Sequence, residues 1–305
     1  MNMQIRRSTL ILPVNVPRFV EKAYLRGADA IMLDLEDSVP LKEKEKARKL
    51  IKDSLSQAAR GGAEVFVRIN KDPGLLPEDL MASVFPGLNG IALPKVESAG
   101  EVHNLEDQLA RLEEERGLKP GHIELSLLIE SPCGLLNLKE IAAASKRVKS
   151  ISLGPEDYCL ELGVEPSEDG MELYYALSKL VTICKVKGIK PMGLLGSIGD
   201  FRDLQRFERA AIRARQLGCE GASCIHPDQV GILNRVFSPD PAQVEHVRRL
   251  VGAFEEGLKD GTASVNVDGQ MVDIPVYNRA QLILKRAEAI AEVERRKAEA
   301  LARCK

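Results

Sequence analysis

Residues Glu124–Asp157 read ELSLLIESPCGLLNLKEIAAASKRVKSISLGPED. Two apolar runs, Glu124–Glu130 and Ser150–Glu156, bracket a stretch of helical character over Asn137–Arg147, and each run ends in acid. Short apolar segments on either side of a helix make a βαβ unit with parallel neighbouring strands. The same beat continues in both directions. Toward the N-terminus it gives Ser8–Val14, Ala30–Glu36, Glu64–Asn70 and Gly90–Val96, and toward the C-terminus Lys190–Gly196 and Cys219–Pro227. Helical stretches fall between them at Pro17–Arg26, Lys42–Arg60, Ala99–Arg116, Gly170–Lys187 and Asp203–Leu217, while Lys71–Asn89 holds a Pro/Gly loop and a short helix. Gly27, Gly61–Gly62, Gly117, Gly188 and Gly218 follow helical runs, where a helix end favours glycine.

Eight such beats predict an α/β fold, a (β/α)8 TIM barrel, over a doubly wound sheet. The polar residues discriminate between the two. Glu36 and Asp37, Arg68 and Asn70, Lys95, Glu130, Glu156 and Asp157, then His226, all sit at the C-terminal ends of runs. Barrel enzymes build sites at that rim from several strands, whereas a doubly wound sheet gathers them at one switch point. After His226 the pattern changes. A Pro-initiated helix begins near Pro241, SVNVDGQMVDIPV reads as a hairpin turning at Asp268–Gly269, and Arg279–Arg303 is a charged helix. Residues 1–235 are therefore expected to form the barrel and 236–305 a C-terminal arm or lid.

The chain has 305 residues, with 43 Lys+Arg against 45 Asp+Glu. That balance argues against a general nucleic-acid binder, whose affinity comes from excess cations neutralising phosphates. No apolar run approaches the roughly 20 residues of a membrane span. The opening MNMQIRRSTLILPVNVP is broken by Pro13 and Pro17 and lacks a small-residue cleavage site, so a signal peptide is not expected. The six cysteines form no CxxC pair, which suits reduced thiols in a cytoplasmic protein.

Glu130 and Asp157 leave consecutive strands, which lie about 4.8 Å apart. Two carboxylates at similar heights can converge on a hard cation such as Mg²⁺ that keeps water and substrate ligands; each can equally cap a helix or pair with a lysine. Asp34 and Glu36 alternate with Leu33 and Leu35 and so face one side, with Asp37 beside them. Their mutual repulsion calls for a cation or an arginine, unless the segment simply opens a helix. Arg68 shares a face with Phe66 and Asn70; it is either a partner for Glu36 or Asp37 or a fork presented to a carboxylate or oxyanion. His226, followed at once by Pro227, reads as structural. Cys133 has no histidine partner, and Gly193 and Gly196 lack dinucleotide-fingerprint spacing.

The stretches RRSTLILPVN, GADAIMLDLEDSVPLKEKEKAR, VFVRIN, GIALPKVES, LLIESPCGLLNLKEIA, SLGPEDY, GASCIHPDQV, FSPDPAQVEHV and VDGQMVDIPV run in order through most of the chain. In them the protein resembles the citrate lyase β-subunit-like proteins, with malyl-CoA and citramalyl-CoA lyases, of the class II pyruvate-aldolase-like superfamily. The resemblance implies a homotrimer or hexamer in which the C-terminal arm covers a neighbouring subunit's site. It implies Mg²⁺ held by Glu130 and Asp157, and Arg68 binding the oxo acid or thioester oxygen. Glu36 and Asp37 would hydrogen-bond Arg68 or water on that ion. Asp273, by position a hairpin residue, would be an acid/base group donated across the interface. Arg18 and Lys22, just after the first strand, are candidates for the coenzyme A phosphates or plain solvated helix residues.

The implied activity is Mg²⁺-dependent carbon–carbon cleavage, or formation, of a short 3-hydroxyacyl-CoA, giving an acyl-CoA and a 2-oxo acid. A thioesterase or malate-synthase-like reaction at the same site is the enzymatic alternative. A non-catalytic CoA or oxo-acid binder is the other, but it would not need Asp273. One stretch departs from the family pattern: where many relatives read roughly A-I-D-x-V, Pro191–Asp200 reads PMGLLGSIGD. This puts substrate identity in doubt.

Overall fold

The computed structural model describes residues 3–199 and 201–304. Residues 6–237, with 300–304, form one compact unit, and 3–5 with 238–299 form another.

The first unit carries eight parallel strands. They are β1 (Ser8–Pro13), β2 (Ala30–Asp34), β3 (Glu64–Arg68), β4 (Gly90–Leu93), β5 (Glu124–Ile129), β6 (Val148–Leu153), β7 (Lys190–Met192) and β8 (Ala222–Cys224). Each pairs with its sequence neighbours, and β1 pairs with β8. The ring closes between β7 and β8 through a parallel bridge, Met192 to Gly221, with the Gly193 N–H donating to the Gly221 carbonyl at 3.0 Å. A Cβ on Gly221 would stand 2.1 Å from the Arg6 carbonyl, so only glycine lets the strands meet here.

The two-residue alternation separates two cores. Ile31 and Leu33 of β2, Val65 and Val67 of β3, Ile91 and Leu93 of β4, and Leu125, Leu127 and Ile129 of β5 point outward into a large cluster beneath the helices. Ala30, Met32, Phe66, Ala92 and Leu128 form a small inner cluster, with Ile11 packed against it. The same alternation brings Asp34, Arg68 and Glu130 to the inner face as the strands rise. Below, the buried Arg6 guanidinium lies 4.3 Å from the Phe66 ring centre and pairs with Glu64 at 2.7 Å and Glu124 at 3.0 Å, closing the floor. The floor is stabilising structure, and the opposite end is left for chemistry.

Several elements differ from the sequence reading. Strands β7 and β8 are three residues each; after β7, Gly193 and Gly196 take positive φ and the chain leaves the ladder early. The Asn137–Arg147 stretch forms only the short helix Leu138–Ile141, preceded by another short helix at Pro132–Leu136. A helix at Pro155–Leu162 was not expected at all; Pro155 opens it and Gly163 ends it in the left-handed conformation. The other units run close to expectation, with helices at Pro17–Ala23, Lys44–Ala59, Leu76–Ser83, Ala99–Glu115, Met171–Lys187 and Leu204–Leu217, and a further helix not read from the sequence follows β8 at Pro227–Val236.

The second unit contains the helix Pro241–Lys259, an antiparallel hairpin of β9 (Val265–Val267) and β10 (Gln270–Val272), and most of the helix Ile274–Ala302. Asp268 and Gly269 both have positive φ, as a tight hairpin turn requires. Val247, Leu250, Phe254, Val272 and Ala280 make a separate small core. Among the described residues no helix is long and apolar enough to cross a membrane, and all six cysteines are free.

Candidate active site

Strand register decides which inner groups meet. Asp34 and Arg68 are direct cross-strand partners at the upper ends of β2 and β3. The guanidinium donates to both Asp34 oxygens, Nε at 2.6 Å and Nη2 at 2.7 Å. Burial alone would raise the Asp34 carboxyl, but the Arg68 bonds and charge, with bonds from Ser38 and the Glu36 N–H, hold it below the usual range. Burial likewise opposes the charge on Arg68, and Asp34, Glu36 and Asp37 outweigh it. Sequence alone placed Asp34 on the right face but named Glu36 or Asp37 as the arginine's partner. The chief partner is Asp34. Glu36 Oε2 lies 3.0 Å from Arg68 Nη1 and Asp37 3.9 Å.

Glu130 follows β5 and is nine-tenths or more buried, at 5% exposure. Its Oε2 accepts the Lys95 backbone N–H at 2.8 Å. Burial, reinforced by the charges of Glu36 and Asp157, pushes its carboxyl up to about 7 despite that bond and the nearby Arg68. Asp157 stands in the first turn of the helix Pro155–Leu162, half exposed. Glu130, Asp157, Asp37 and Arg68 line one cavity of about 220 Å³. Glu156 also lines it, and the rest of the wall is largely apolar or small, with Ile11, Leu128, Leu194 and Ile198 beside Ser152, Gly193 and Ser223. That volume falls below the roughly 300–1,000 Å³ of drug-sized pockets and suits the reacting end of a substrate.

Lys95 was noted on the rim in the sequence but not assigned a role. Its Nζ lies 3.0 Å from Glu36, 3.5 Å from Asp37 and 4.0 Å from Asp157. Partial burial works against its charge, and those three carboxylates overcome this and raise its pKa. The neighbouring acid, Glu156, accepts a hydrogen bond from Ser197 instead.

Three features fit a divalent cation between Glu130 and Asp157. Glu36 Oε2 is buried and makes no hydrogen bond, although it is close to Arg68. Glu130 is a buried carboxylate whose charge burial penalises. Gly154 forms a cradle for it: a Cβ there would stand 2.5 Å from both Cγ and Oε1 of Glu130. Among the described residues no three His, Cys, Asp or Glu side chains gather into a complete metal cage. A two-carboxylate site is compatible with that, because Mg²⁺ keeps several non-protein oxygens. Gly154→Ala is expected to tilt Glu130 out of place and weaken Mg²⁺ binding by about tenfold or more. Gly154 has φ −92°, which alanine adopts freely, so the melting temperature should change little. Titration calorimetry checks this; parent-like affinity would show that Glu130 is not held by its cradle.

The remaining predicted residues are not among those that line this cavity. Arg18 and Lys22 are exposed on the helix Pro17–Ala23, where Arg18 lies 5.0 Å from the Phe19 ring centre. Asp273, in the second unit, precedes the helix Ile274–Ala302, and its Oδ1 accepts the Val276 N–H at 3.1 Å. That helix starts five residues before the expected Arg279 because Asp273 caps it. His226 is also a cap: Nδ1 accepts the Asp228 N–H at 3.3 Å, and the ring stacks on Phe201 at 5.2 Å.

A family model described as HpcH/HpaI aldolase/citrate lyase matches residues 7–227, which contain all eight barrel strands. The chain is 36% identical over 289 residues to the citrate lyase subunit beta of Leuconostoc mesenteroides subsp. cremoris, spanning 94% of this chain and 95% of that one. It is 32% identical over 306 residues to the L-malyl-CoA/beta-methylmalyl-CoA lyase of Rhodobacter capsulatus, at 93% and 95% coverage. The structure of protein CitE from Mycobacterium tuberculosis, in complex with magnesium, acetoacetate and coenzyme A, matches with a TM-score of 0.73 at 24% identity, over 94% of this chain and 100% of that one. A citrate lyase from Burkholderia xenovorans LB400 matches at 0.79 and 18%, over 95% and 93%. Those two likenesses establish the shared fold. With its barrel spanned by the family model and relatives aligned along nearly its whole length, this chain belongs to the HpcH/HpaI aldolase/citrate lyase family.

Proposed function

We propose that the protein is a Mg²⁺-dependent carbon–carbon lyase that cleaves, or forms, a short 3-hydroxyacyl-CoA such as malyl-CoA or citramalyl-CoA. The products are an acyl-CoA and a 2-oxo acid. The observation that carries this reading is the meeting of Glu130, Asp157 and Arg68 in one small cavity, with Gly154 shaped to admit Glu130. The curated relatives are lyases by name, and one solved neighbour holds magnesium and coenzyme A. Glu130 and Asp157 are the proposed ligands of the ion. An ion held there would supply Lewis-acid chemistry, lowering the pKa of the substrate hydroxyl.

The chain's own residues supply the rest. Cleavage passes the hydroxyl proton to an ordered water beside Glu36 and Asp37, turns the C–OH into a carbonyl, breaks the bond to the α-carbon and leaves the electron pair on the thioester enolate. Asp34 holds two of the Arg68 donors and so fixes the fork, leaving other N–H groups to oppose the enolate charge. Glu36, beside the fork, and Asp37, in the cavity wall, are proposed to orient Arg68 and ordered water. Asp273 is the proposed donor of a proton to the enolate carbon, or its acceptor in the condensing direction. The Val276 N–H orients that carboxylate through Oδ1. We place residues 236–305 as an arm over a neighbouring subunit of a homotrimer or hexamer, with Arg18 and Lys22 at the coenzyme A phosphates. Six free thiols suit a reducing cytoplasm.

The test is a panel of malyl-CoA, citramalyl-CoA and close analogues, assayed with Mg²⁺ and then with chelator. Release of acyl-CoA and oxo acid is expected only with the metal. Turnover that survives chelation would remove the metal from the mechanism, and thiol release without carbon–carbon cleavage would favour a thioesterase.

A further inference from the structure

Lys95 combines three observations that the proposed reaction does not use. It is a non-glycine residue with φ +54°, a backbone state that costs energy and persists only when neighbours enforce it. Its neighbours do enforce it. Lys71 Nζ donates to the Lys95 carbonyl at 2.6 Å, and the Lys95 N–H donates to Glu130 at 2.8 Å. Lys71 is in turn paired with Glu101 at 2.9 Å. This conformation sends the backbone to one proposed metal ligand and the ammonium toward the other. Nζ is close to Glu36 and Asp37, while its contact with Asp157 is the longest of the three at 4.0 Å.

We propose that Lys95 is a built-in cation of the site beside Arg68: its ammonium holds Glu36, Asp37 and Asp157 together and yields Asp157 to an arriving divalent ion. The inference rests on the metal reading above and adds what sets the affinity. Glu36, Asp37 and Asp157 repel one another; Arg68 offsets the first two in part, and the Lys95 ammonium also reaches Asp157. A fixed ammonium relieves that repulsion, and the same charge repels an incoming Mg²⁺. The contact to Asp157 is the weakest and the first to give way. The bonds to Glu36 and Asp37 can persist, keeping those acids from competing with the substrate's own carboxylate for the ion. Lys95 is thus a positioning residue whose charge weakens metal binding while organising its surroundings.

Mg²⁺ titration calorimetry on the metal-free full-length protein tests this, together with melting curves with and without MgCl₂. Lys95→Met is expected to bind Mg²⁺ at least fivefold more tightly than the parent. Its metal-free form should melt lower, and its metal-induced gain in melting temperature should exceed the parent's. Lys95→Gly relaxes the positive-φ backbone while deleting the ammonium, so it should show the same tightening even if the methionine variant folds poorly. Lys95→Arg keeps the charge and should stay within about twofold of the parent. Unchanged or weaker binding in both charge-deleting variants would overturn the role of Lys95 alone. Absence of Mg²⁺ binding by the parent would overturn the metal reading, and this proposal with it.

Discussion

Replacing Arg68 with methionine is expected to cut kcat/KM by a factor of about 10²–10³, the range seen for losing one oxyanion donor, and to destabilise the fold as well. Asp34 is fully buried and gives two oxygens to Arg68, and Glu36 stands 3.0 Å away. Removing the guanidinium strands these charges, and breaking a buried pair in this way costs about 3–5 kcal/mol. The melting temperature should fall by roughly 10 °C for a unit of this size. Arg68→Lys separates the two losses. A lysine restores one positive charge and should recover much of the stability. It has no flat fork to span both Asp34 oxygens, so its activity should stay near that of the methionine variant. Thermal melts and steady-state kinetics on the three proteins provide the check. If the methionine variant melts with the parent, Arg68 does not balance Asp34.

Asp273→Asn should lower turnover by about 10²–10⁴-fold, the usual worth of a positioned acid or base. Its fold should survive. The asparagine side chain still carries an oxygen able to accept the Val276 N–H, so the cap on the long helix is retained. Substrate binding should change far less than turnover, because the lost group acts on a proton. Mixing Asp273→Asn subunits with Glu130→Ala subunits tests whether the arm serves a neighbour. A shared site predicts that mixed oligomers regain part of the activity that each parent variant lacks. Two inactive proteins that remain inactive after exchange would argue against a donated Asp273. An Asp273→Asn protein as fast as the parent would end its acid/base role.

Much of this organisation was legible without coordinates. The order of the eight strands, Arg68 and Glu130 at the ends of theirs, the Asp268–Gly269 turn and the helix from Pro241 appear where local pattern put them. Other features were not. The helix Pro155–Leu162 hid inside a stretch whose acids looked like a strand end, since four apolar residues after Asp157 are too few to show a helical period. The three-residue β7 was overestimated, since buried Leu194 and Leu195 read as strand although Gly193 and Gly196 had already turned the chain.

The sequence by itself determined the barrel and which side chains face into it. Alternation along a strand and helix punctuation depend on neighbours a few residues apart. Only the tertiary structure decided which inward groups meet. That Arg68 grips Asp34, that Lys95 reaches three carboxylates from two separate segments, and that Gly154 makes room for Glu130 all depend on register between strands distant in the chain. A shift of one residue would leave each strand's own pattern intact and exchange every partner across it.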